Sequence, residues 1–166
     1  MNWYSFQFKF EFEQNTRPKW WLDILMIDTV VRDIMENHKN NIQLWRFHRR
    51  ADHDESGHKF KLWCYTTEEV SIAIDEIARC HKSIGVLKEN SLLLDYTTEN
   101  SGSGVEGTSD PRWSNEVKKA WPYYIMGISQ LILELIDLIK KQQDPLDDGA
   151  GIDVIERYYA SIQGDL

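Results

Sequence analysis

Tyr4, Phe6, Phe8, Phe10 and Phe12 alternate with Trp3, Ser5, Gln7, Lys9 and Glu11 at the start of the chain. Successive side chains of a strand point to opposite faces, so this period of two specifies a strand with one aromatic face and one mostly polar face. The aromatic face must be covered by another layer, which restricts the chain to architectures in which a sheet is packed on one side.

The residues after the strand supply that layer. Glu13 to Thr16 read as a turn; Thr16 can cap a helix and Pro18 suits its first turn. Trp20, Ile24, Ile27, Val31 and Ile34 then recur at helical spacing to about His38, and Lys39 to Asn41 break the helix. From Ile42 to Tyr65, two aromatic-rich runs, IQLWRFHRR and GHKFKLWCY, flank the polar segment ADHDES, which predicts a β-hairpin. Thr66 and Glu69 form a capping box ahead of Val70, Ile74, Ile77 and Ala78, predicting a second helix to about Lys82. Ser83 to Val86 read as a turn and Ser91 to Thr97 as a fourth strand. The predicted order is β-α-β-β-α-β, the ferredoxin-like α+β arrangement of an antiparallel sheet with two helices on one face.

Residues 99–111, rich in Gly, Ser and acids, read as a surface loop. Ser114 can cap a long helix over 114–141 in which Val117, Trp121, Tyr124, Ile128, Leu131, Leu135 and Leu138 alternate by four and three. That is a heptad seam, widened by Ile125, Ile132 and Ile139. Pro122 marks either the start of the regular helix or a kink. A linker from Gln142 to Gly151 leads to a short amphipathic helix marked by Ile152, Ile155, Tyr159 and Ile162. We therefore expect one domain over 1–141, including the long helix, followed by a linker and a short helix over 142–166.

A net charge of −8 argues against a general nucleic-acid or anionic-membrane binder, which needs a basic footprint. Cys64 and Cys80 make neither a disulfide framework nor a zinc motif, and both are expected as buried free thiols. The N-terminus lacks the basic start and continuous apolar run of a signal peptide. No run of about 18 consecutive apolar residues is present, so no span is expected and a cytoplasmic location is.

The alternation of the first strand leaves Ser5, Gln7, Lys9 and Glu11 on the sheet face away from the helices. Pairing by burial adds Arg46, His48, Lys59, Lys61, Trp63 and Tyr65, with Asp95 or Tyr96 from the last strand. Of these, Arg46, His48, Lys59, Lys61 and Trp63 are the expected ligand-binding residues, for an anionic small molecule or peptide segment; His58 is expected on the same surface. The apolar stripe of helix 114–141 needs a partner, either this free face or its own copy in a homodimer.

Other chemistry finds little support. His48, His53 and His58, with Asp52, Asp54 and Glu55, offer imidazole and carboxylate ligands, but their spacing turns the rings in different directions. A solvated acidic turn fits better, and no metal or cofactor is expected. His38 and His81 are expected at helix ends, where a cation complements the dipole. Gly102, Gly104 and Gly107 are not followed by the Lys-Ser/Thr of a P-loop, and Gly-x-Ser-x-Gly, His-Glu-x-x-His and Cys-x-x-Cys are all missing from the sequence.

One resemblance rests on the hairpin. Its TrpArgPheHisArgArg (45–50) and GlyHisLysPheLysLeu (57–62), with YTTE (96–99) and a helix from Trp121 to Ile139 containing Ser129 further on, resemble the thiopeptide-type or lantibiotic dehydratase C-terminal domain. The resemblance implies a lyase that eliminates glutamate from glutamylated Ser or Thr in a precursor peptide. Arg46 or Arg49 would then hold the leaving carboxylate and His58 would take the α-proton. Lys59 and Lys61 stand where that family carries arginines, and AsnSerGlySer (100–103) replaces its Arg-Tyr-Gly-Gly. Three functions thus fit the sequence: an accessory protein binding an anion, the lyase, and a non-catalytic dimeric adaptor organised by helix 114–141.

Overall fold

The computed structural model describes residues 1–13, 16–52, 57–102 and 112–166, with the backbone alone for Ala51 and Asp52. Strands β1 (Asn2–Phe10), β2 (Leu44–Asp52), β3 (Gly57–Thr66) and β4 (Leu93–Asn100) form one antiparallel sheet in the order β2-β3-β1-β4. Between β1 and β2 a continuous helical run comprises α1 (Trp21–Met26), a π-helical turn (Ile27–Val31), α2 (Arg32–His38) and a 3-10 turn (Lys39–Asn41). Helices α3 (Glu68–Cys80) and α4 (Lys82–Glu89) lie between β3 and β4, and α5 (Asn115–Lys140) and α6 (Ile152–Asp165) complete the chain.

The alternation of β1 works as its sequence dictates. Phe6, Phe8 and Phe10 are each 1% exposed, and the register sets them opposite Leu62, Phe60 and His58 of β3. With Leu22, Ile24, Met26, Ile27 and Ile34 of the first helical run and Ile74 of α3 they form the main core. Phe12, read as the end of the alternation, lies beyond β1.

Several local expectations are corrected. The first helix begins at Trp21, not in the Thr16–Pro18 turn, where Thr16 Oγ1 instead donates back to the Glu13 carbonyl. The cap of α3 is Thr67, whose hydroxyl accepts from the Val70 amide; Thr66 belongs to β3 and donates to the Asn41 carbonyl. Ser83 to Val86 are helical, because His81 ends α3 and its Nδ1 accepts from the Ser83 amide to start α4. An accepting Nδ1 carries no proton, and burial of the ring holds the His81 pKa below its ordinary value, so His81 is not the dipole-complementing cation expected. Cys64 is buried, which pushes its thiol pKa up, whereas Cys80 is exposed at the end of α3. α5 runs unbroken through the buried Pro122, with Ser114 as its cap.

The C-terminal helices dock on the first helical run through one carboxylate. Asp28, in the π turn, is 4% exposed and accepts from Lys140 Nζ (2.7 Å) and the Tyr159 hydroxyl (2.8 Å), and it pairs with Arg32 (3.1 Å). Arg32 also donates to the Leu133 carbonyl and pairs with Asp137 of α5. α5 in turn lies along the β2 edge of the sheet, where Ser129 Oγ accepts from the Phe47 amide. An open strand edge invites pairing with other chains, and α5 removes that hazard on this side.

Candidate functional site

The sheet face opposite α1 to α4 divides into a covered end and a basic end. Trp3, Leu44 and Trp63 form a small second cluster at the covered end, with Met126 of α5 packed against it. Arg46 is 5% exposed there, its guanidinium 5.7 Å from the Trp3 ring and 5.5 Å from that of Trp63. Cations hold well over indole faces, so this arginine is clamped in place by the two tryptophans. Neighbouring Ser5 is 1% exposed, and its hydroxyl lacks a hydrogen-bond partner among the described residues. α5 thus lies along the β2 edge and covers this end of the face through Met126.

At the other end the strands align like charges. Lys9 lies directly opposite Lys59, Lys59 opposite Arg50, and His48 opposite Lys61. Among the described residues no carboxylate comes within ion-pair reach of the Lys9 or Lys59 ammonium, although Asp95 is Lys9's partner in register on β4. Lys61 sits 4.7 Å from the Trp63 ring and 3.4 Å from Glu99. The His48 pKa is held below its ordinary value, first by partial burial of the ring and then by the charges of Arg46, Arg50 and Lys61. Like charges directly opposite across strands are destabilising, so this arrangement concentrates positive potential on an acidic protein at a cost in stability. Of Asp95 and Tyr96, Asp95 lies on this face, as does Glu99; Tyr96 turns to the helices and donates from its hydroxyl to Asp75.

Arg46, His48, Lys59, Lys61 and Trp63 therefore share one face, as their pattern predicts. His58 does not. It lies on the helix side, fully buried, because its register with Phe10 puts it in phase with the aromatic face of β1. Its Nε2 is 3.1 Å from both oxygens of the buried Asp23, and since a carboxylate only accepts, Nε2 carries the proton. Arg49, also on the helix side, places Nε 3.3 Å from the same carboxylate and its guanidinium over Trp20. The two catalytic candidates are thus brought together, but around Asp23 and away from the free face. Asp23 escaped the sequence reading because it sits within a helical apolar run; two acids inside such a run, Asp23 and Asp28, are the signal that could have found both buried networks.

His48 and His58 lie on opposite faces, and His53, Asp54 and Glu55 fall outside the described residues; among the described residues no cluster of three metal-ligating side chains occurs. The glycines 104 and 107 also fall outside them, while Glu99 and Asn100 belong to β4. Compared with models of protein families and with the sequences of curated proteins, the chain matches none.

Proposed function

We propose that the chain is a small cytoplasmic binding protein whose free sheet face takes an anionic small molecule or an acidic peptide segment. The observation that carries this reading is the cross-strand Lys9–Lys59 pair, two ammonium groups opposite each other with no ion-pair partner among the described residues. A bound anion would neutralise them and relieve the repulsion that the sheet register imposes. Lys61 and His48 in the adjoining row extend the cationic ground. The strand order β2-β3-β1-β4 and the succession β-α-β-β-α-β support a ferredoxin-like classification, which leaves the face opposite the helices free of them.

The elimination chemistry implied by the dehydratase resemblance would need His58 and Arg49 to meet a substrate. His58 is fully buried against Asp23, so that chemistry requires the hairpin to part from α1, whereas the binding reading requires no movement.

The test is thermal unfolding with inorganic pyrophosphate, citrate and a tetraglutamate peptide as probes. A probe at a hundred times its Kd stabilises by about 2.7 kcal/mol, which raises Tm by roughly 5–10 °C in a chain of this length. The double variant Lys9→Gln, Lys59→Gln should have a Tm no lower than the parent's and lose that response. An unchanged response in the double variant, or none in the parent, overturns the reading.

A further inference from the structure

The corner between α3 and α4 turns on one residue. His81 ends α3, its amide donating to the Ile77 carbonyl, and begins α4, its carbonyl accepting from the Ile84 and Gly85 amides. Its ring Nδ1 lies 3.1 Å from the Ser83 nitrogen. A backbone N–H only donates, so Nδ1 accepts, and the imidazole is neutral with its proton on Nε2. α4 leans on that cap more than a longer helix would. It has eight residues, KSIGVLKE, with a serine and a glycine among the first four, no acid in its first turn, and two buried side chains, Ile84 and Leu87.

The two helix ends that meet at His81 favour opposite charges on its ring. The amide end of α4 disfavours a cation, and Lys82 already stands there, its ammonium drawn off to the Asp148 carbonyl and carboxylate. The carbonyl end of α3 favours a cation, and the basic residue of its last turn, Arg79, is folded back onto Asp75. We infer that His81 is a proton-driven switch at this corner: the neutral ring caps α4, whereas the protonated ring turns to the C-terminal carbonyls of α3 and frees the first turn of α4.

The other groups around the ring do not reverse the sign. Asp33 of α2 favours the proton, but burial of the ring outweighs it, and the pKa in the capped form lies below the ordinary 6.5. The uncapped form therefore binds more protons, and it gains on the capped form as pH falls below 6.5. Asp147 and Asp148 of the linker and Tyr159 of α6 line the same cavity as the ring, a space of about 280 Å³. Lys82, Ser83 and Val86 of α4 form one wall of it, so release of the first turn opens that wall, with the Lys82–Asp148 contact still tying α4 to the linker.

Hydrogen exchange of single amides tests the switch, read by NMR in the full chain at pH 7.5 and 5.5 and corrected for intrinsic rates. Protection of Ser83, Ile84 and Gly85 should fall about fivefold at the lower pH, the worth of one cap. Val70, whose amide is capped by the Thr67 hydroxyl, should keep its protection. His81→Asn, which caps without titrating, should hold Ser83 to Gly85 constant, and Asp148→Asn should leave the pH response in place. In the parent, imidazole 15N shifts should show the Nε2–H tautomer at pH 7.5. The inference is overturned by protection that does not fall in the parent, that falls equally at Val70, or that falls equally in His81→Asn. A ring protonated on Nδ1 at pH 7.5 overturns it as well. So does loss of the response in Asp148→Asn, which would assign it to the carboxylate.

Discussion

The two faces of the sheet share four strands and almost nothing else. On the helix side, Phe6, Phe8, Phe10, Phe60 and Leu62 are sealed at 1% exposure or less, and charged groups admitted there are paired: His58 and Arg49 with Asp23, while Tyr96 donates to Asp75. On the other side, one end is clamped by Trp3, Trp63 and Met126, while the other lines up Lys9, Lys59 and Arg50 across neighbouring strands. A face selected for stability alone would alternate charge signs across its strands. Lys9 and Lys59, without an ion-pair partner among the described residues, therefore mark the place where stability is yielded, and such places are where function is expected.

The sharpest way to break the contrast is to hollow the sealed face. Phe8→Ala removes a ring in contact with Phe60 and Tyr96 and should lower stability by about 3–5 kcal/mol in urea unfolding. Asp28→Ala comes next, since it removes the acceptor shared by Arg32, Lys140 and Tyr159. Lys140 and Arg32 keep partial access to water, so a loss of about 2–3 kcal/mol is expected, with α6 detaching first in hydrogen exchange. The smallest effect has the opposite sign. Lys59→Gln, on the free face, should raise stability by about 0.5 kcal/mol through relief of its repulsion with Lys9 and Arg50. A loss of stability there would mean that Lys59 is held by the fold and not kept for a ligand.

How much of this could be read in the chain depends on where the information sits. The period of two in β1 fixed its faces, and through cross-strand register it fixed those of Arg46, His48, Lys59, Lys61 and Trp63, so the free face was legible from local pattern. His58 was misplaced because a histidine within GlyHisLysPheLys looks polar, and only the buried carboxylate of Asp23, distant in sequence, makes its position tolerable. Ser83 to Val86 looked like a turn because a glycine and a serine interrupt the periodicity; the His81 ring supplies the cap that starts α4. The heptad seam of α5 was legible as a pattern, but not its direction. A second seam through Pro122, Ser129, Leu133 and Ile136 has the same spacing, and it is this one that the fold buries.

His48 reports on the free face most directly. Its folded pKa lies below the ordinary value of 6.5, so the unfolded chain binds more protons as pH falls below that value, and protonation of this group erodes stability there. An anion bound between Lys9, Lys59 and Lys61 would cancel the field of the surrounding cations. The decisive measurement is therefore an NMR pH titration of the His48 imidazole, without and with saturating pyrophosphate or tetraglutamate. The account predicts a pKa below 6.5 in the free protein that rises on addition of at least one probe, with His81 unmoved. A His48 pKa that neither probe shifts would contradict it.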